Sequence, residues 1–190
     1  MIFKKTKTQI PEFSEEYQKQ LVKYLFQCIL SEGSKIILFA LIFLKLGILK
    51  EYLYALVLLV FLRTNGGGLH FKHYLSCFAM SFCVLLGSVM LGIYIPMLHM
   101  IALVIIGISI FIGYKYVPVM SANRPPASDK LVKKSKRNTT IILAAYFILI
   151  CIVPTNRYLS IGVWIIIMHI LQLLLAEYLR KAGPNTCGKH

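Results

Sequence analysis

Residues 76–114 contain no Asp, Glu, Lys or Arg. The run is 39 residues long, whereas one helix crossing the hydrocarbon core of a bilayer takes about 20. A soluble domain covers its core with polar surface and carries roughly a quarter charged residues. Here 58% of the chain is hydrophobic and 15% is charged. The sequence therefore predicts an all-α, polytopic membrane protein. The polar N-terminus, Met1 to Glu16, has none of the features of a cleavable signal peptide, so the first apolar segment is expected to remain in the mature protein.

The remaining pattern divides a single membrane domain, 1–190. Residues 12–31 read as an amphipathic helix. Tyr17, Leu21, Tyr24, Leu25 and Cys28 recur at helical spacing, opposite Glu15, Glu16, Lys19 and Lys23. Such a helix can lie in the headgroup region or pack on the protein's own inner side. Residues 34–62 are too long for one span and short for two, and Gly47 marks the bend of an expected hairpin. A glycine-rich segment, 63–73, follows. Two spans, 75–95 and 97–114 within the stretch 75–114, are separated by Pro96. After a basic loop, 115–138, two more spans at 139–153 and 160–179 (stretch 139–179) are joined by Pro154 to Arg157.

These segments amount to about six transmembrane crossings plus the interfacial helix. The net charge is +14. Lys115, Arg124, Lys130, Lys133, Lys134, Lys136 and Arg137 crowd the loop against Asp129 alone. Lys and Arg are retained on the cytoplasmic side, so this loop, segment 63–73 and both termini are assigned to the cytoplasm. A basic loop beside spans also attracts anionic membrane lipid. Nucleic acid is a poor alternative partner, because no recognition motif accompanies the charge.

The chemistry is concentrated between Arg63 and Cys77. This stretch joins Asn65, the glycines Gly66, Gly67 and Gly68, His70, His73 and Cys77. Cysteine attacks carbonyls as the thiolate, and a nearby imidazole generates it. On an unbroken helix, His70 and Cys77 would share a face but stand roughly 10 Å apart along the axis. His73, at i−4, lies within direct reach. By spacing alone His73 is the better base; His70 serves only if the chain folds back before the helix or another subunit contributes. A cysteine at a helix start is more often structural. A zinc site using His70, His73 and Cys77 would need a fourth ligand, and His99, His169 and Cys187 have no spacing that supplies one. No metal or other cofactor is expected. The odd count of five cysteines, with no CxxC, argues against a disulfide framework. Cys28, Cys83 and Cys151 read as packing residues. His99 and His169 read as satisfied by helix neighbours.

The pattern Arg63-x4-Gly68-x-His70-x6-Cys77, after an apolar hairpin and before a long span, resembles the AgrB family of membrane peptidases in Gram-positive quorum sensing. Tyr116-Val117-Pro118 and Asn123-Arg124-Pro125 are similar to that family's loop between its fourth and fifth spans. The resemblance implies a thiol protease of the bacterial cytoplasmic membrane, with Cys77 as nucleophile and His70 as general base. It favours His70 over His73 and implies a break in the helix between His70 and about Lys72. Its substrate would be a precursor peptide with an amphipathic helix and an acidic tail. The acyl group would wait on Cys77 as a thioester until an internal Cys or Ser displaces it, closing a thiolactone or lactone ring. Arg63 can hold a carboxylate or anchor the helix end. Gly68 permits a turn, and Asn65 can orient His70 or donate to the oxyanion. Lys133, Lys134 and Lys136 would steer the acidic tail. The resemblance is compatible with a homodimer. The rival reading is a non-enzymatic peptide transporter or exporter component, which would tolerate Cys77→Ser.

Overall fold

The computed structural model describes residues 32–67, 74–118 and 129–181. Among the described residues the regular structure is helical, with short irregular links at 46–48, 95–98 and 153–156. Residues 1–39 and 40–190 form two separate compact units. The expected amphipathic helix at 12–31, with Cys28, lies outside the described residues. In the first unit, the Lys35 ammonium meets Glu32 at 2.6 Å, one turn apart.

Helix α1 (32–45) is followed by a turn at 46–48, where Gly47 takes φ +72°. That backbone region is costly for any side chain bearing a Cβ. The later elements are α2 (Leu49–Gly66), α3 (Tyr74–Tyr94), α4 (His99–Tyr116), α5 (Asp129–Ile152) and α6 (Arg157–Lys181). Among the described residues, four helices are long and apolar enough to cross a membrane: Tyr74–Tyr94, His99–Tyr116, Val132–Ile152 and Arg157–Leu179. The described part of α1 has 14 residues, about 21 Å of rise against a hydrocarbon core of about 30 Å. Helix α2 carries Lys50, Glu51 and Arg63 within 18 residues. Neither passes the same criterion, so the count supported here is four spans, where the sequence suggests about six.

The basic loop also needs correcting. Helix α4 continues through Tyr116, and α5 begins at Asp129 rather than near 139. Lys and Arg are good helix formers, and Lys130 to Arg137 prolong the apolar helix as a polar first two turns.

Helix α6 is the centre of the second unit, packing on α2, α3 and α4. Of its apolar stretch 61% is buried, against 22–33% in the other three spans. Its start is capped by Asn156, whose Oδ1 accepts the Leu159 N–H at 3.0 Å. The bend at Pro96 is fastened to the same region. The Ser160 hydroxyl accepts Met97 N–H at 3.1 Å, Trp164 Nε1 donates to Ile95 O at 3.3 Å, and His99 Nδ1 pairs with Thr155 at 3.0 Å. His99 is thus partnered by a residue of the link before α6 rather than by the helix neighbours expected from the sequence. Arg157 pairs with Glu51 at 3.2 Å, tying α2 to α6 at this end. A Cβ on Gly92 would stand 2.6 Å from the Ile161 Cα, so α3 and α6 approach backbone to backbone there. Phe43 stacks on Tyr52 with ring centres 4.6 Å apart, joining 40–45 to α2.

Candidate functional site

Cys77 is half-buried on the first turn of α3. Cys83 and Cys151 are exposed rather than packed. The packing role expected for those two is wrong: they lie on outward faces of apolar helices, where a small apolar residue suffices. Cys187 lies outside the described residues, as do Gly68, His70 and His73, and with them the expected helix break. What is described is where the flanking chain ends. Helix α2 runs through Gly66, the first of the three glycines, and stops at Gly67, where φ is +79°.

One turn beyond Cys77 on the same face of α3 is Ser81, which is buried. Its hydroxyl accepts from the Arg63 guanidinium at 3.3 Å, and the second terminal nitrogen of Arg63 donates to Gln172 Oε1 on α6 at 3.1 Å. Arg63 therefore turns inward and joins α2, α3 and α6. Guanidinium has donors only, so it fixes the orientation of the amide: Oε1 must face Arg63. Gln172 Nε2 then points elsewhere, buried and with no hydrogen-bond partner among the described residues.

His169, one turn earlier on α6, is 1% exposed. Neither ring nitrogen has a partner among the described residues, which corrects the expectation that helix neighbours satisfy it. Its Nε2 lies 2.9 Å from where a Cβ on Gly66 would be. The first glycine of the triplet thus makes room for an imidazole. Signals for His169 and Gln172 are faint in the sequence. Each is a lone polar residue in an apolar stretch, and the partner Arg63 is 109 residues from Gln172.

These contacts give relative depths. Gly92 meets Ile161, and Ser81 and Gln172 share one guanidinium; each pair is 11 residues further along its helix. Helices α3 and α6 therefore run antiparallel and in step. Cys77 stands about 6 Å outward of the Ser81–Gln172 level, and His169 about 4.5 Å inward of it, at 1.5 Å per residue. Since Gly66 touches His169, α2 stops roughly 10 Å short of the level of Cys77, whereas α3 begins beyond that level.

Asn65 connects this end to the basic helix. Its Nδ2 donates to Phe61 O at 2.9 Å, its Oδ1 accepts from Asn138 at 3.0 Å, and its carbonyl accepts from the Ser135 hydroxyl. The Asn65 amide is thus committed to helix–helix contacts within the described residues. Lys133 and Lys134 are exposed on the first turns of α5. Lys136 is half-buried with its ammonium 5.7 Å from the centre of the Tyr114 ring, a cation–π distance.

Residues 2–173 match the family model described as accessory gene regulator B. No curated protein and no solved structure matches the chain. The match takes in most of the chain, and the protein belongs to the accessory gene regulator B family, which is associated with the processing of a quorum-sensing autoinducer precursor.

Proposed function

We propose that the chain is a membrane-embedded cysteine endopeptidase that removes the C-terminal tail of a quorum-sensing precursor peptide. Cys77 Sγ attacks the scissile carbonyl carbon, the C–N bond breaks, and the imidazolium of His70 protonates the leaving amine. The peptide is then held as a thioester. An internal Cys or Ser of the peptide attacks that carbonyl, giving its proton to His70, and the bond to Cys77 Sγ breaks. The product is a thiolactone or lactone, and no oxidant or metal is consumed.

The observation that carries this reading is the half-buried Cys77 on the first turn of α3, one turn from a Ser81 hydroxyl held by Arg63. The family pattern favours His70 as the base, against regular helix spacing, which favours His73. Apolar helices around the site keep water from the thioester, so ring closure competes with hydrolysis. The basic start of α5 suits an acidic tail and anionic lipid. On this reading the basic end faces the cytoplasm, both termini included, and a second copy of the chain is a permitted partner.

The test is cleavage of a precursor peptide by purified full-length variants in lipid. Cys77→Ala and His70→Ala abolish cleavage, a loss of at least about 10³-fold, while Cys83→Ala and His73→Ala retain most of it. Loss from His73→Ala with His70→Ala active would move the base to His73. Full activity in Cys77→Ser would favour a transporter component.

A further inference from the structure

His169 and Gln172 have no place in the proposed mechanism, yet they are among the most deeply buried polar side chains described, 1% and 3% exposed. Polar atoms held out of water without a hydrogen bond are costly to keep. Three of their polar atoms lack partners among the described residues: both ring nitrogens of His169, and Gln172 Nε2. The Nε2 amide presents two N–H donors, and a neutral imidazole presents one. Beside them is the guanidinium of Arg63, already shared between Ser81 and Gln172. Apart from the second, accepting nitrogen of the imidazole, the inventory is one of donors, with a cation among them. Gly66 spares His169 Nε2 the methyl group that any larger residue would press against it.

We propose that Arg63, His169 and Gln172 form a subsite for a carboxylate side chain of the peptide substrate. This rests on the reading of Cys77 as the nucleophile. The subsite lies about 6 Å inward of Cys77 along α3 and extends about 4.5 Å further to His169. An extended peptide advances about 3.4 Å per residue. The recognised Asp or Glu therefore sits two or three residues from the scissile carbonyl. Its two oxygens accept from Gln172 Nε2 and His169 and lie beside the guanidinium. Charge-assisted bonds of this kind give selectivity for a carboxylate over the isosteric amide.

The test uses full-length protein in lipid vesicles and peptides carrying Glu, Gln or Leu at each position within three residues of the cleaved bond. Wild type is expected to cleave the Glu peptide with kcat/KM at least about tenfold above the Gln peptide at one position, with the difference mainly in KM. Gln172→Leu brings that ratio close to one. Gln172→Glu places a carboxylate next to Arg63, fills the subsite from within and reverses the preference. Gly66→Ala, which pushes a methyl group against His169, lowers the ratio as well. A wild-type enzyme indifferent to Glu and Gln at every position overturns the proposal without needing any variant. So does a preference that survives Gln172→Leu. Cys77→Ala separates the two ideas: if it still cleaves, the nucleophile is wrong, and if it is inactive while the preference resists every subsite variant, only the subsite is wrong.

Discussion

Tyr146 and His169 are both polar aromatic residues buried between helices, and the bundle treats them in opposite ways. At the Pro96 end, the Tyr146 hydroxyl donates to Leu159 O at 2.9 Å and accepts from Tyr54 at 3.2 Å. Tyr54 in turn packs edge-on against Tyr158 with ring centres 5.7 Å apart. Gly162 makes room for the Tyr146 ring, and Gly92 lets α3 and α6 meet backbone to backbone. At that end the hydroxyls of Tyr146 and Ser160 and the charges of Arg157 and Glu51 are paired, although Ser88 Oγ is buried without a partner among the described residues. At the Arg63 end, His169 and the Gln172 amide nitrogen are equally buried but unmet within the described residues. Unsatisfied groups cost stability, so one end is organised for holding helices together and the other retains unused donors next to a thiol. The difference separates scaffold from site more clearly than composition does, since both ends are built from the same apolar helices.

Substitutions sharpen that contrast. The largest effect on stability is expected at Gly92. In Gly92→Ala the new methyl group stands 2.6 Å from the Ile161 Cα, and backbone cannot step aside as a flexible side chain can. A loss of about 3 kcal/mol follows from such overpacking. It should appear as a lower melting temperature in detergent, with cleavage per folded molecule nearly unchanged. Tyr146→Phe removes a hydroxyl with two partners and should cost about 1 kcal/mol, read by the same melting experiment. At the other end the sign changes. His169→Leu removes an imidazole that has no bonded nitrogen to lose, so the melting temperature should stay the same or rise while selectivity among peptides falls. A His169→Leu protein that melts as early as Tyr146→Phe would mean that His169 is structural, and the contrast between the ends would disappear.

Much of this architecture is legible in the sequence, and the rest is hidden for identifiable reasons. Absence of charge from 76–114 places α3 and α4 within a few residues of their observed limits, because desolvation of charge is the strongest constraint a bilayer imposes. The start of α5 is not legible, because Lys130 to Arg137 read as a loop by their charge, although their helix propensity lets the apolar segment continue through them. The glycine triplet is legible as an interruption, but the place where α2 stops is not: 63–73 reads as a loop from Arg63, and the helix runs on through Gly66. The reason for Gly66 is not legible either, since only the folded chain brings His169 against it. Arg63 stands out as a charge beside an apolar hairpin, but its partners Ser81 and Gln172 come from two other helices and have no local pattern. Residues acting through sequence-adjacent chemistry can be found from spacing, whereas those acting through long-range packing need the fold.

The central claim is that the peptide passes through a covalent bond to the sulfur of Cys77. Intact-mass measurement of the full-length protein, quenched in acid shortly after mixing with a precursor peptide lacking its internal Cys or Ser, tests it directly. An adduct equal in mass to the N-terminal cleavage fragment less water, located to Cys77, released by hydroxylamine and missing from Cys77→Ala, is the predicted result. Cleavage that proceeds with no such adduct in the wild type, or an adduct that persists in Cys77→Ala, would contradict the account.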